Sequence, residues 1–404
     1  MSVMSDTIPV TVLSGALGAG KTTTLNHVLT ADHGYETAVL VNDMGEVNVD
    51  AEHIERQSEL SQSDEEIIEM SNGCICCRLR GDMLDAVGAL AETREFDYLL
   101  VESSGISEPI PVAQTFALGF EDSDYDPTED YHLDTMVSVV DAHAMSEGFD
   151  SGASLTGEDT VGGTDRIPEE VLMDQIEFCD VLLLNKCDLV PDEELDEIEA
   201  VLRTLQPRAE IVRTEFGAVD PTEILDTDRF DFEAAQDSAG WKHELKHDHH
   251  HDPSEEHGVE SFVFRANRPV HPERFASLLE TLPSAVIRAK GFFWSAGRED
   301  ISMGLDKSGQ SVRAGPNGRW IATLPPEQQK QYLRALPGLA DEWDDRWGDR
   351  GVELVFIGRE YDPESLKADL ESCLLTDAEM EDDWSAYPDP FGTDGQRELA
   401  IADD

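Results

Sequence analysis

Positive charge is what this 404-residue chain has least of: 29 Lys and Arg stand against 87 Asp and Glu, a formal net charge of −58, and only eight of the basic residues are lysine. Without a basic patch a protein cannot displace counterions from a nucleic acid or settle on an anionic bilayer, so both are excluded as partners. The acid surplus is spread along the whole chain. It reads as a halophilic composition, a solubility adaptation to a very salty cytoplasm in which charge self-repulsion is screened. Long apolar runs are also missing: no stretch of 18 hydrophobic residues exists, so no membrane span is expected. Residues 1–9 lack a basic segment followed by an apolar one, so no signal peptide is read and a cytoplasmic location is expected. Six cysteines in such a chain are unsuited to a disulfide framework; where clustered, they point to metal or redox chemistry. Apolar residues at 40% still suffice for two cores.

What is present begins at Ile8 to Leu13, an apolar β-branched run that reads as a buried strand. Gly15-Ala-Leu-Gly-Ala-Gly20-Lys21-Thr22 follows, with a helix pattern opening at Lys21, and this is a phosphate-binding loop in its proper strand-to-helix setting. The backbone amides of Gly15, Gly18, Ala19, Gly20, Lys21, Thr22 and Thr23 are expected to wrap the phosphates. Lys21 would reach the β- and γ-phosphates and the Thr22 hydroxyl would hold Mg²⁺. In so acidic a chain, backbone amides, Lys21 and Mg²⁺ must do the work that long-range attraction does elsewhere.

Two further stretches extend this site. Phe96 to Val101 reads as a buried strand ending in Glu102-Ser-Ser-Gly105, where Glu102 would hold a metal-bound water and the Gly105 N–H would sense the γ-phosphate. No Gln or Arg stands in an obvious water-positioning place, so slow intrinsic turnover is expected. The strand Asp180 to Leu184 delivers Asn185-Lys186-Cys187-Asp188. A carboxylate at Asp188 accepts from N1–H and the 2-amino group of guanine, Asn185 meets the other edge, and Lys186 lies along the ring. Adenine lacks those donors, and an unpaired carboxylate there costs on the order of 1–3 kcal/mol, so GTP is favoured over ATP. The loop from Thr214 to Val219 is expected to close over the base.

Between the first two of these stretches lies Gly73-Cys74-Ile75-Cys76-Cys77, three thiols in four residues directly after the short strand Ile67 to Met70. Thiolates are soft ligands suited to Zn²⁺ or Cu(I). Cys74 and Cys76 are the first ligands proposed, with Cys77 the third. The fourth position stays open to Glu46, Asp43, water or a receiving protein, and an incomplete site suits a metal that must leave. Asp43 and Glu46 fall in Asp43 to Asp50, where GTPases of this kind keep their first switch. A polar linker holds His247, His249, His250 and His251, which collect Zn²⁺, Ni²⁺ or Co²⁺ loosely or are simply solvated.

Strands alternating with helices over residues 1–232 imply a doubly wound, mainly parallel α/β sheet with the ligand at the strand ends. Residues 233–258 form the His/Asp-rich linker and 259–377 a smaller α+β domain. That domain has strands at Ser261 to Ala266, Ala285 to Ser295 and Val352 to Ile357, helices at Pro272 to Leu282 and Pro363 to Cys373, and no catalytic constellation. Residues 378–404 read as an acidic tail in which Trp384 to Phe391 docks. Loops are expected from Glu121 to Asp130 and from Ser146 to Arg166.

Taken together, Gly15 to Thr22, Gly73 to Cys77, Glu102 to Gly105 and Asn185 to Asp188 resemble the CobW-type P-loop GTPases. Arg268-Pro-Val-His271, Val286-Ile-Arg-Ala-Lys-Gly291 and Trp347-Gly-Asp-Arg350 look like that family's C-terminal domain. Asn42 to Asn48, Glu69 to Cys74 and Gly105 to Phe116 look closest to the zinc-chaperone branch typified by YciC and ZagA. Gly45 and Arg78 depart from that branch, and Arg78 sets a positive charge beside the thiols. The resemblance implies a GTP-hydrolysing metallochaperone that carries Zn²⁺ to a client protein when zinc is scarce; a monomer or weak homo-oligomer is expected. Co²⁺ delivery, for cobalamin synthesis or metalloenzyme maturation, and a non-hydrolytic GTP-binding metal buffer or sensor are the alternatives.

Overall fold

The computed structural model describes residues 7–42, 66–70, 78–93, 96–105, 107–119, 125–151, 168–236, 239–246, 258–335, 339–340, 343–392 and 397–399. The chain forms two compact units, Met1–Gly240 and Trp241–Asp404. Among the described residues no helix is long and apolar enough to cross a membrane.

In the first unit seven strands, β1 (Ile8–Gly15), β2 (Thr37–Asn42), β3 (Glu66–Met70), β4 (Tyr98–Glu102), β5 (Tyr131–Asp141), β6 (Val181–Asn185) and β7 (Glu210–Arg213), make one sheet in the order β3-β2-β4-β1-β5-β6-β7. Every neighbouring pair is parallel. Strands buried on both faces need continuous apolar runs, and Val-Leu-Leu-Leu of β6, wholly buried, is such a run. Helix α1 (Lys21–Thr30) covers one face through Leu25 and Val28; α2 (Arg78–Thr93) and α3 (Pro109–Ala117) cover the other through Val87, Leu90, Ala113 and Phe116. Sequence order reverses direction about β1, so the ends of β1, β4 and β5 frame the crevice where such sheets take their ligands. Asp134, near the start of β5, is buried and accepts from the Tyr98 hydroxyl (2.6 Å), Thr135 Oγ1 (2.7 Å) and the amides of Thr227 (3.1 Å) and Asp228 (2.6 Å). That carboxylate closes the unit on the side away from the crevice. Burial and the Asp134 charge push the Tyr98 hydroxyl far above its ordinary range.

Where a loop was expected from Ser146, helix α4 (Ala142–Ser151) runs on, because Asp141 at the end of β5 caps it by accepting from the His143 (3.0 Å) and Ala144 (3.1 Å) amides. Helices α5 (Pro168–Glu177) and α6 (Asp192–Leu205) complete the layers. Leu195, Ile198, Val201, Leu202 and Leu205 of α6 are buried at helical spacing, and Asp192, Glu193 and Glu194 suit its first turn.

The second unit is α+β. Strands β8 (Val259–Ala266), β9 (Val286–Phe293), β10 (Ile301–Ser308), β11 (Ser311–Arg319), β12 (Val352–Arg359) and β13 (Arg397–Leu399) form an antiparallel sheet ordered β13-β11-β10-β9-β12-β8. Helices α7 (Pro272–Glu280) and α8 (Pro363–Cys373) pack Phe275, Leu279, Leu366 and Leu370 onto Phe262, Phe264 and Phe356. The β10–β11 hairpin escaped sequence reading because Pro, Gly and charged residues interrupt it. Its one legible signal is Ser308-Gly309-Gln310-Ser311, a tight turn with Gly309 at φ 56°. The stretch from 378, expected as an acidic tail, is instead part of this unit: Trp384 and Phe391 are buried and β13 pairs with β11. Apolar burial outweighs its acidity. Short helices at Phe232–Gln236 and Gly240–Lys246 stand where a linker was expected.

Candidate functional site

The loop from Gly15 to Gly20 turns because its glycines occupy backbone that other residues avoid: Gly15, Gly18 and Gly20 have φ of 139°, 75° and 110°. A Cβ on Gly15 would lie 2.3 Å from the Val139 carbonyl oxygen, and one on Gly20 would lie 2.2 Å from Asn185 Nδ2. The cradle therefore admits no side chain at either position, as a loop that wraps phosphates requires. Lys21 is buried, and its ammonium donates to the carbonyls of Gly15 (2.9 Å) and Ala16 (3.1 Å), so the charge sits inside the loop. Thr22 Oγ1 donates to Glu102 Oε1 at 2.6 Å, bringing together the hydroxyl and carboxylate expected to hold Mg²⁺. Two adjoining oxygen donors fit a small hard cation. Gly105 closes over the same loop: a Cβ there would meet the Leu17 amide nitrogen at 2.7 Å.

The four carboxyl-end strands that matter are in register. Leu13 pairs with Glu102, Glu102 with Val41, and Val41 with Glu69; on the other side Asp141 pairs with Asn185. Thus the phosphate loop, Glu102, and the ends of β2 and β3 share one edge of the sheet.

At the base end, Asn185 does more than the sequence foretells. Its Nδ2 donates to the Ala19 carbonyl (2.9 Å), while Oδ1 accepts from Thr214 Oγ1 (3.1 Å) and the Gly217 amide (3.0 Å). One buried amide thereby clamps the phosphate loop to the 214–217 loop. Lys186 takes a left-handed conformation, φ 63°, and its ammonium meets Asp141 Oδ2 at 2.5 Å. Asp141 is the residue sequence reasoning missed: one carboxylate caps α4 and fixes the lysine, and its only sequence signal is an acid at the end of a neighbouring strand. Asp188 lies in the following turn with its side chain exposed, open to a ligand. Cys187 fills the position between them, its thiol donating to Leu184 O at 3.1 Å. Burial raises that thiol's pKa, which keeps it protonated.

The proposed cargo ligands Asp43, Glu46, Cys74, Cys76 and Cys77, and His247, His249, His250 and His251, lie outside the described residues. Among the described residues no group of three or more His, Cys, Asp or Glu side chains is placed to hold a metal ion.

A seven-stranded parallel sheet with a glycine cradle, an inward lysine and a threonine–carboxylate pair at its switch point defines a P-loop nucleoside triphosphatase. The nucleotide-binding domain of CobW/HypB/UreG matches residues 9–213, and the cobalamin synthesis protein CobW C-terminal domain matches residues 259–374. A zinc-regulated GTPase metalloprotein activator of Dictyostelium discoideum is 40% identical over 97% of this chain and 85% of its own length. The zinc chaperone YjiA of Escherichia coli is 27% identical over 89% of this chain and 97% of its own. The chain belongs to the CobW/HypB/UreG family of P-loop GTPases. The solved zinc-bound YjiA structure overlays at a TM-score of 0.40 with 21% identity, covering 91% of this chain and 99% of its own. That overlay is loose, and the fold assignment stands on the strand order and the family match.

Proposed function

We propose that this protein is a GTP-driven metallochaperone that takes up Zn²⁺ at Cys74, Cys76 and Cys77, with Asp43 or Glu46 completing the site, and hands it to a client protein. The observation that carries the reading is the pairing of β2 with β3, Asn42 opposite Met70, one strand away from Glu102. The segment bearing Asp43 and Glu46 begins after Asn42 and the cysteine segment begins after Met70. Their roots are therefore neighbours, about 5 Å apart, on the edge that holds the γ-phosphate. Both relatives, a zinc-regulated GTPase metalloprotein activator and a zinc chaperone, are named for zinc, which favours Zn²⁺ over Co²⁺ as cargo.

Asp188 selects guanine; Lys21 and the amides of Gly18 to Thr23 bind the phosphates; Thr22 and Glu102 would hold Mg²⁺, which would supply charge neutralisation. Glu46 or Asp43 is brought to the thiolates when the triphosphate is bound and withdrawn after hydrolysis. A zinc titration with a GTP analogue, with GDP and without nucleotide tests this. Affinity should be highest with the analogue and be lost in Cys74→Ser and Cys76→Ser. Equal affinity in all three states overturns the coupling, and tight binding retained in both variants moves the site to the histidine linker.

A further inference from the structure

Phe216 is unusual twice over. It is a bulky aromatic in the left-handed region, φ 54°, and 73% of its surface is exposed. Left-handed backbone is costly for a side chain of this kind, and exposing the ring forgoes burial; such residues persist where the surroundings over-determine them, typically at binding sites. The surroundings here do so. Asn185 Oδ1 accepts from the flanking Gly217 amide and from Thr214 Oγ1, the Cys187 amide donates to Thr214 O (3.2 Å), and Ala218 N donates to Glu215 O (3.0 Å). Gly217 is pressed against the start of α1, where a Cβ would lie 2.6 Å from the Thr24 amide nitrogen. The clamp ties the 214–217 loop both to Asn185, which also holds the phosphate loop at Ala19 O, and to the Cys187 amide, so Phe216 is carried on a loop bonded directly to the Asn185–Asp188 turn.

We propose that Phe216 is a base-stacking residue, its ring covering the face of the guanine opposite the Lys186 stem. A purine needs both faces covered to leave water, and Lys186, drawn toward Asp141, supplies only one wall. The proposal rests on the assignment of the guanine edge to Asp188. Stacking takes no account of ring substituents, whereas hydrogen bonding to Asp188 does, and this separates the two contributions.

The test measures GDP, IDP and ADP binding by calorimetry. Phe216→Ala should weaken GDP and IDP equally, about tenfold, and raise KM for GTP with kcat unchanged, as expected for an interaction made alike in ground and transition states. Phe216→Tyr should keep the parental affinity. Phe216→Trp should bind normally and show quenching of its added fluorescence on GDP binding. The exposed ring predicts an unchanged melting temperature for all three. Phe216→Ala within twofold of the parent, or a Phe216→Trp signal unmoved by saturating GDP, overturns stacking. Asp188→Asn is the separate control: it should abolish the preference for GDP over ADP. If it does so while Phe216→Ala binds normally, stacking falls and the guanine assignment stands. If Asp188→Asn changes nothing while Phe216→Ala weakens GDP and ADP alike, the guanine assignment falls and stacking stands.

Discussion

Replacing Asn185 by Ala should damage stability and nucleotide binding together, because one amide holds two loops. Three hydrogen bonds vanish, to Ala19 O, Thr214 Oγ1 and Gly217 N, and all three partners are on buried residues. At about 1 kcal/mol per bond, plus the penalty for polar groups left unpaired, the loss is on the order of 3–5 kcal/mol. For a unit of this size that lowers the melting temperature by roughly 6–20 °C. Gly20→Ala approaches the clamp from the other side: its Cβ would fall 2.2 Å from Asn185 Nδ2 at φ 110°. In the parent it must displace the amide and should cost about as much as Asn185→Ala. In the Asn185→Ala background the clash is gone and only backbone strain of about 1–2 kcal/mol remains, so the double variant should be far less unstable than additivity predicts. Calorimetric unfolding of the first unit, with GDP titration alongside, reads both effects. If Asn185→Ala costs under about 1 kcal/mol of stability while GDP binding collapses, the amide serves the base alone and the clamp argument is wrong.

Thr22→Val and Glu102→Gln should each lower GTP turnover by on the order of a hundredfold while leaving GDP binding in chelator nearly unchanged; single-turnover assays with and without Mg²⁺ check this. In the second unit, burial raises the Asp306 carboxyl, but Arg288 and Lys290 outweigh it and hold it at about 2. A carboxyl depressed on folding stabilises above its unfolded pKa near 4, and that contribution, about 2 kcal/mol, should fade as pH drops from 4 toward 2. Urea unfolding across that range should show the slope, and Asp306→Asn should flatten it. Asp134→Ala removes the acceptor of four hydrogen bonds, two of them from the buried Tyr98 and Thr135 hydroxyls, and should destabilise the first unit by about 3 kcal/mol or more, measured by denaturant unfolding.

The nucleotide loop was legible residue by residue because its chemistry is local. Gly15, Gly18 and Gly20 take the positive φ that side chains avoid, and strand, turn and helix follow within about fifteen positions. β2 was legible to the residue because a parallel strand buried on both faces must be apolar, whereas β7, the edge strand with Glu210 and Arg213 exposed, was legible from Ile211 and Val212 set between two charges. The hairpin at β10 and β11 was not, since its buried Met303, Leu305, Val312 and Ala314 are separated by glycine and charge that suggest a loop. In the last stretch the docking of Trp384 to Phe391 was legible from its aromatics, but the pairing of β13 with β11 was not, since acids surround it.

By itself, the amino-acid order determined the phosphate-binding loop and which side chains are on offer for a guanine edge and for a soft metal, because donors, acceptors and thiols are properties of residues. Tertiary structure alone decided which groups cooperate. Asn185 reaches Ala19 across 166 positions, Lys186 reaches Asp141 across 45, and Phe216 is held out by a glycine pressed on α1. Those contacts depend on strand order, and strand order is settled by packing two faces of a sheet at once, which no local window of sequence encodes.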